Sequence, residues 1–166
     1  MHKAAQHGNV EDLQRLIKNG AHINSTCDDG GTPLHYAVFN GHVECVKILL
    51  SEKDILVNVY TKRCGSTPLH FAARNNYLEI VQLLLKKGAN FDATDHDGFT
   101  AEQRAELNGY LDMAWYLGSV RRAQFINIQD EVTGKNDKQD ISDTDEINRS
   151  FDQDYQEVIA HLKTEA

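Results

Sequence analysis

The chain has 166 residues, with 17 lysines and arginines against 25 aspartates and glutamates, so its formal net charge is −8. This length is sufficient for one domain, or for one domain with an appendage. The acidic balance argues against nucleic acid as a partner, because non-specific binding requires a cationic surface that displaces phosphate counterions. Apolar runs are far shorter than the ~20 residues of a membrane-spanning helix, which predicts that no membrane is involved.

The cysteines and the first residues bear on the compartment. Cys27, Cys45 and Cys64 show no CxxC spacing, which disfavours both a disulfide framework and a zinc site. Residues 1–7 lack the apolar core of a secretory signal. Together these features predict a cytoplasmic protein with reduced thiols.

Internal repetition dominates the sequence. The tetrapeptide Thr-Pro-Leu-His at 32–35 recurs 35 positions later at 67–70. A weaker copy, Thr-Ala-Glu-Gln, follows at 100–103. A second block starts with Gly or Asn, followed by one polar or aromatic residue, an aliphatic residue and an acidic residue. Its four copies begin at Gly8, Gly41, Asn76 and Gly109. A period near 33 residues predicts a repeat architecture.

The residues of each repeat predict two short helices. Pro33 and Pro68 each follow a threonine, and proline suits the first helical position, where its missing N–H would be unpaired anyway. Thr32 and Thr67 are the corresponding N-caps. In the block that follows, apolar residues recur with helical spacing, as at 43–50. Because such short helices do not persist alone, packing between repeats must hold them.

On these residues the chain resembles the ankyrin-repeat family. The resemblance covers residues 1–118, in repeats at about 2–31, 32–66, 67–99 and 100–118. It implies an all-α repeat solenoid in which each repeat has two antiparallel helices and a hairpin-like finger. It also implies that the tetrapeptides are structural, with their histidines bonding backbone between neighbouring loops. The implied structural residues are Thr32, Pro33, His35, Thr67, Pro68 and His70.

The same resemblance implies a protein partner, held by the finger tips and by the concave side of the first helices. Three aromatic residues lie at positions that the helical stripe does not need, and aromatics are common interface anchors. A basic cluster flanked by acidic fingers suits a specific protein surface. The predicted partner-binding residues are Phe39, Tyr60 and Phe99, the basic Lys62, Arg63 and Arg74, and the finger residues Asp28, Asp29, His96 and Asp97.

The inter-helix segment that carries finger two, between Leu50 and Thr67, is two residues longer than the one that carries finger three, between Leu85 and Thr100. One interpretation is a tolerated insertion in a surface loop, which costs little free energy. The other is a finger adapted for contact with a partner, because insertions in repeat proteins often lie on the binding face. The sequence favours neither.

No residue pattern predicts catalysis, a cofactor or a metal site. The histidines lack a ligand spacing such as HExxH, and there is no glycine-rich phosphate loop. The paired acids at 28–29 and 95–97 precede glycines and are interpreted as exposed turn residues.

The fourth repeat is predicted to end the stack. Its polar substitutions, among them Arg104, are expected to face water and so keep the stack soluble. Its second helix is expected to pack inward against repeat three through Met113, Trp115, Tyr116 and Leu117.

Residues 119–166 form an acidic tail with 6 basic and 11 acidic residues. The stretch 130–145 is polar enough to be disordered. Beyond it, apolar residues at helical spacing predict an amphipathic helix at 144–163. The stripe consists of Ile147, Phe151, Tyr155, Val158 and Leu162. Three fates are open for this helix: folding back onto the last repeat, entering a partner's groove, or pairing with another chain.

These observations predict a non-enzymatic, monomeric protein-interaction module that acts as an adaptor or an inhibitor. The degenerate end repeats are also compatible with a bacterial effector acting in a host cytosol. The alternative is a regulatory or assembly protein whose tail helix covers the concave face or dimerises the chain. A third hypothesis makes this chain the recognition part of a longer enzyme.

Overall fold

A computed structural model describes residues 1–132 of the chain. The chain divides into two units, Met1–Phe125 and Ile126–Ala166, and the hydrophobic core of the repeats lies in the first. The described part is helical, and its helices pair into four repeats. In chain order they are α1 (His2–Gln6), α2 (Val10–Lys18), α3 (Pro33–Phe39), α4 (Val43–Ser51), α5 (Pro68–Arg74), α6 (Leu78–Lys86), α7 (Ala101–Leu107) and α8 (Leu111–Val132).

Successive repeats stack through their equivalent helices. The first helices α1, α3, α5 and α7 contact one another in order, and so do the second helices α2, α4 and α6. One hydrophobic core results, to which successive repeats contribute the fully buried Leu13, Leu34, Val46, Leu69 and Leu84. Burial of each such side chain contributes roughly 1.5–3 kcal/mol, and a single repeat has no partner for these faces. The structure confirms the predicted all-α repeat solenoid.

A capping box starts the first helix of repeats two, three and four. The N–H of Thr32 donates to Nδ1 of His35 (3.1 Å), and the N–H of Thr67 donates to Nδ1 of His70 (3.1 Å). Since Nδ1 accepts, Nε2 carries the proton of each ring. In repeat four Gln103 takes the histidine's place, and its Oε1 accepts from the Thr100 N–H at 2.9 Å.

A residue with positive φ ends each first helix and turns the chain into the second helix. These residues are Gly8, Gly41, Asn76 and Gly109. At Gly41 the missing Cβ also leaves room for the Tyr77 ring, which lies 2.9 Å from where a Cβ would be. Asn76 adopts a φ of 58°, a region that asparagine tolerates better than most side chains. These four residues define equivalent positions in the four repeats.

Two asparagines connect the loops that follow the second helices. The Asn24 amide donates to the Asp54 carbonyl (2.7 Å), and its Oδ1 accepts from the Leu56 N–H (2.9 Å). Asn58 makes the same two bonds to the next loop, at 3.0 and 2.8 Å. Each asparagine thus satisfies a donor and an acceptor of the neighbouring backbone.

We expect Asn58→Ala to lower the free energy of unfolding by about 1–2 kcal/mol, because two backbone groups lose their partner. Chemical denaturation followed by circular dichroism measures this loss. Gln82→Ala, at an exposed helical position, is the control and should stay within about 0.5 kcal/mol of the parent. A loss at Asn58 no larger than that of the control would contradict a connecting role for the asparagine.

The last helix differs from the expectation in two respects. α8 runs from Leu111 to Val132, so the boundary drawn at residue 118 lies inside a helix. Met113 and Leu117 are buried, but Trp115 is 42% exposed, and the expectation that it packs inward is wrong. Its position is equivalent to that of Gln82, which lies on the exposed face of the preceding second helix.

Most of the acidic tail lies outside the described residues. The predicted amphipathic helix at 144–163 is among the residues left undescribed, so the hypotheses that depend on it stay predictions. Within residues 1–132, no helix is long and apolar enough to cross a membrane.

Candidate functional site

Three fingers precede helices α3, α5 and α7, and each is a tight backbone turn. Finger one comprises residues 27–31, finger two 61–66 and finger three 95–99. In each finger the first N–H donates to the last carbonyl, at 3.0, 3.1 and 3.0 Å respectively. Finger two therefore has six residues within this closing hydrogen bond, whereas fingers one and three have five each.

The second extra residue of repeat two lies before the finger. Asp54 is equivalent to Gly20 and Gly88 of the neighbouring repeats. It lies three residues after the end of α4, whereas the two glycines lie two residues after the ends of α2 and α6. The two-residue insertion is thus two separate single insertions. Only one of them lengthens the tip that a partner would meet.

Backbone hydrogen bonds connect neighbouring fingers. The N–H of Lys62 donates to the Asp29 carbonyl at 2.7 Å, which connects finger two to finger one. The N–H of His96 donates to the Cys64 carbonyl at 3.0 Å, which connects finger three to finger two. The tips therefore form a row on a hydrogen-bonded backbone.

The histidines of the two Thr-Pro-Leu-His tetrapeptides differ in the hydrogen bonding of Nε2. Nε2 of His70 donates to the Phe99 carbonyl at 3.0 Å. For His35 the equivalent acceptor is the Ser66 carbonyl, which accepts from the Thr61 hydroxyl (3.3 Å) in addition to the Thr61 N–H (3.1 Å) that closes the finger. Nε2 of His35 is buried with no hydrogen-bond partner in the described part of the chain. Burial lowers the pKa of His35 to about 4 and also lowers the pKa of His70.

The tips of fingers one and two carry opposite charges. Asp28 and Asp29 are exposed on finger one, and Lys62 and Arg63 are exposed on finger two. None of these four side chains forms an ion pair with another residue of the described range. Their charges are therefore open to a partner.

The outward residues of the first helices form a second surface, here called the first-helix face. Its members lie one, two and five residues before the positive-φ residue of each repeat, and none is buried. They are Lys3, Gln6, His7, Tyr36, Phe39, Asn40, Phe71, Arg74, Asn75, Arg104, Leu107 and Asn108. This face has no carboxylate. Each second helix has an acidic residue in its first turn, and α7 has Glu102 in its first turn, outside the first-helix face.

Two of the three predicted aromatic anchors are exposed. Phe39, on the first-helix face, is 53% exposed, and its ring meets Phe71 edge-on at a centroid distance of 5.7 Å. Tyr60, just before finger two, is 49% exposed. Phe99 is half-buried, because the Arg104 guanidinium lies over its ring at 4.7 Å from the centroid. Phe99 therefore offers a partner less surface than the other two.

The predicted basic cluster is divided between the two surfaces. Lys62 and Arg63 lie on finger two, whereas Arg74 lies in the last turn of α5, on the first-helix face. The side chain of Asn75, next to Arg74, donates to the Phe39 carbonyl of the preceding repeat at 3.4 Å. The end of α5, which carries Arg74, is thus hydrogen-bonded to the end of α3, which carries Phe39.

A buried ion pair fixes finger three to α7. The Asp95 side chain is 1% exposed and accepts from Nε of Arg104 at 2.5 Å. Its other oxygen accepts from the N–H groups of Asp97 and Phe99, both at 3.1 Å. Arg104 also binds the exposed Asp97 carboxylate at 2.6 Å. Burial by itself raises the pKa of Asp95, but the Arg104 bond and these N–H groups outweigh it and hold the pKa below its usual range.

This ion pair corrects two expectations from the sequence. Asp95 is not an exposed turn residue, and Arg104 does not simply face water. His96, between Asp95 and Asp97 on this tip, is exposed. Arg104 occupies the position of Tyr36 and Phe71 in the preceding repeats. A cation at an aromatic position, shortly after an aspartate, is the sequence signal from which the pair could have been found.

The three cysteine thiols lie in different surroundings. Cys27, Cys45 and Cys64 are free. A hydrogen bond from the Tyr36 hydroxyl, 3.2 Å away, lowers the pKa of Cys27, whereas burial raises the pKa of Cys45. Among residues 1–132, no three His, Cys, Asp or Glu side chains are grouped to hold a metal ion.

Two protein-family models match this chain, and together they cover most of the described residues. A family model described as ankyrin repeats (many copies) matches residues 1–50, and one described as ankyrin repeats (3 copies) matches residues 53–130. The chain belongs to the ankyrin-repeat family. The second match extends past residue 118, in agreement with the length of α8.

This ankyrin-repeat protein also matches curated relatives over about a third of its length. Cortactin-binding protein 2 of Ornithorhynchus anatinus is 44% identical over 52 residues, which are 31% of this chain and 3% of that protein. The putative ankyrin repeat protein FPV223 of Fowlpox virus (strain NVSL) is 42% identical over 50 residues, 30% of this chain and 36% of that protein. Cortactin-binding protein 2 of Dasypus novemcinctus is 43% identical over 54 residues, 32% of this chain and 3% of that protein. The chain thus spans a small part of these relatives.

Proposed function

We propose that this ankyrin-repeat protein is a non-enzymatic interaction module that binds a protein partner and acts as an adaptor or an inhibitor in the cytoplasm. One observation carries the proposal: two exposed aromatics, Phe39 and Tyr60, accompany the cations Lys62, Arg63 and Arg74, which form no ion pair within residues 1–132. Aromatic and arginine side chains are the commonest hot spots of protein interfaces.

The scaffold supports this role because it holds both surfaces in place before binding. The fingers are hydrogen-bonded to one another, and the first helices share one core. A preorganised surface loses little conformational entropy on binding, which leaves more of the contact energy as affinity. Ankyrin repeats are generally protein-interaction modules, and a standard interface requires roughly 800 Å² on each partner.

We expect the triple variant Phe39→Ala/Tyr60→Ala/Arg63→Ala to lose its partner, with affinity at least about tenfold weaker, because truncated hot spots cost more than about 1 kcal/mol each. Affinity capture with the immobilised full chain, quantified by mass spectrometry, measures this. Thermal unfolding of the variant should remain cooperative, because the three side chains are exposed.

A second triple variant is the matched control. Gln14→Ala/Gln82→Ala/Lys86→Ala removes exposed side chains of the second helices, away from both surfaces, and should retain the captured proteins. Proteins retained by both variants alike would contradict the proposed site.

A further inference from the structure

We infer that the first-helix face binds an acidic segment of a protein partner, in which carboxylates are flanked by apolar side chains. The inference rests on the proposed function, because it names the partner chemistry of the same site. Three features carry it: the charge of the face, its exposed apolar side chains, and their register along the repeats.

The charge of the first-helix face is opposite to that of the chain. The face holds Lys3, Arg74 and Arg104 and no carboxylate, whereas the chain has a net charge of −8. Arg104 is already bound by Asp95 and Asp97. Lys3 and Arg74 remain without an ion pair in the part of the chain that the structure describes. A carboxylate gains an attractive contact here, and a basic segment is repelled.

The finger tips limit where such a segment lies. Lys62 and Arg63 add two more cations on finger two, between repeats two and three, and neither forms an ion pair with another described residue. Asp28 and Asp29 on finger one would repel carboxylates at the side of repeat one. We therefore expect the acidic residues of the partner to lie over repeats two and three.

Two exposed apolar side chains flank Arg74 in the same register. Phe39, Arg74 and Leu107 each lie two residues before the positive-φ residue of their repeat, on three consecutive first helices. Phe39 is 53% exposed and Leu107 is 62% exposed. The face thus presents an apolar, a cationic and an apolar side chain in turn.

This series specifies the spacing in the partner. Packed helices lie roughly 10 Å apart, so the three side chains follow one another at about that distance. An extended segment covers 10 Å in about three residues, and a helix covers it in about seven. A matching segment therefore has an acidic residue between two apolar residues at one of these spacings.

Selection from a library of random peptides of about 16 residues, long enough for two such steps in a helix, tests the inference. The immobilised full chain is the target, and peptides displayed on phage are the probe. We expect enriched peptides to be net acidic, with apolar residues on both sides of the acidic ones. A synthetic copy of the most enriched peptide should bind the Arg74→Glu variant at least tenfold more weakly than it binds the parent. It should also bind the Phe39→Ala variant more weakly than the parent.

Lys86→Glu is the matched control for Arg74→Glu. Both residues are exposed cations in the last turn of a helix, so both changes reverse one charge and lose the same favourable contact with the helix dipole. Lys86 lies on a second helix, away from the first-helix face. This variant should bind the winning peptide within about twofold of the parent, a factor smaller than one ion pair contributes.

Several outcomes would overturn the inference. Enriched peptides that are basic or uncharged would overturn the acidic specificity, but weaker binding of those peptides to Phe39→Ala would leave the proposed function standing. Equal loss with Arg74→Glu and Lys86→Glu would also overturn it, because net charge alone would then explain binding. A lack of any enriched peptide would overturn the inference alone. Peptides unaffected by substitutions on either surface would overturn the inference and the proposed function together.

Discussion

Arg104→Ala is expected to lower the free energy of unfolding by about 3 kcal/mol, because it leaves a buried charge without its partner. The Asp95 carboxylate, 1% exposed, would keep only the N–H groups of Asp97 and Phe99. These two bonds do not replace a full opposite charge in a buried site. Urea denaturation at pH 7, followed by circular dichroism, measures the loss.

An exposed ion pair supplies the control. The side chains of Arg15 and Asp12 are 71% and 43% exposed, so Arg15→Ala should change the stability by less than about 1 kcal/mol. Adding Asp95→Asn to Arg104→Ala should recover part of the loss, since the neutral amide oxygen still accepts from both N–H groups. Equal losses for the two arginine variants would contradict a special role for the buried pair.

The effect of Arg104→Ala should also depend on pH. The folded-state pKa of Asp95 lies below its ordinary value of 3.8, so its stabilising contribution is present above that value and is lost as the pH falls further. The difference between Arg104→Ala and the parent should therefore shrink as the pH falls toward the lowered folded-state pKa of Asp95, because protonation removes the charge that Arg104 neutralises.

Lowering the pH toward 4 is expected to destabilise the parent through His35. The pKa of this histidine is about 4 in the folded chain, against an ordinary value of 6.5. Because the folded value is depressed, the stabilising contribution is complete above pH 6.5 and is lost progressively as the pH falls toward 4. This difference between the two pKa values corresponds to a contribution to the free energy of unfolding of about 3 kcal/mol at most. The lowered pKa of His70 acts in the same direction.

His35→Gln tests this effect, because Gln103 shows that glutamine fills the same capping position in repeat four. The urea midpoint of the variant should depend less on pH than that of the parent between pH 6.5 and 4. His22→Gln, at an exposed position, should keep the parent's dependence. A parent-like slope in His35→Gln would show that other groups cause the acid loss.

The candidate site was predictable from the sequence only in part. Phe39, Tyr60, Lys62 and Arg63 are exposed where the repeat register places them, because each position follows from its distance to a helix cap or a turn. The cover over Phe99 was not predictable in the same way. It comes from Arg104, which belongs to the next element of the chain.

The sequence by itself determined the repeat period, the helix starts and the turns, because these depend on neighbouring residues. Thr32 and Pro33 start a helix by capping and by a fixed φ, and Gly41 ends one through its freedom at positive φ. A helix with an apolar stripe must then pack against the neighbouring repeats to bury that stripe, whichever protein the chain binds.

Only the tertiary structure decided which polar groups are satisfied and which charges are free. His35 and His70 have the same local sequence, yet within residues 1–132 Nε2 of His70 has an acceptor and Nε2 of His35 has none. Arg104 is bound by Asp95, whereas Arg74 forms no ion pair within residues 1–132, although both are arginines of first helices. Hydrogen bonds and ion pairs require atoms within about 3 Å, and such distances between separate turns arise only once the repeats have stacked.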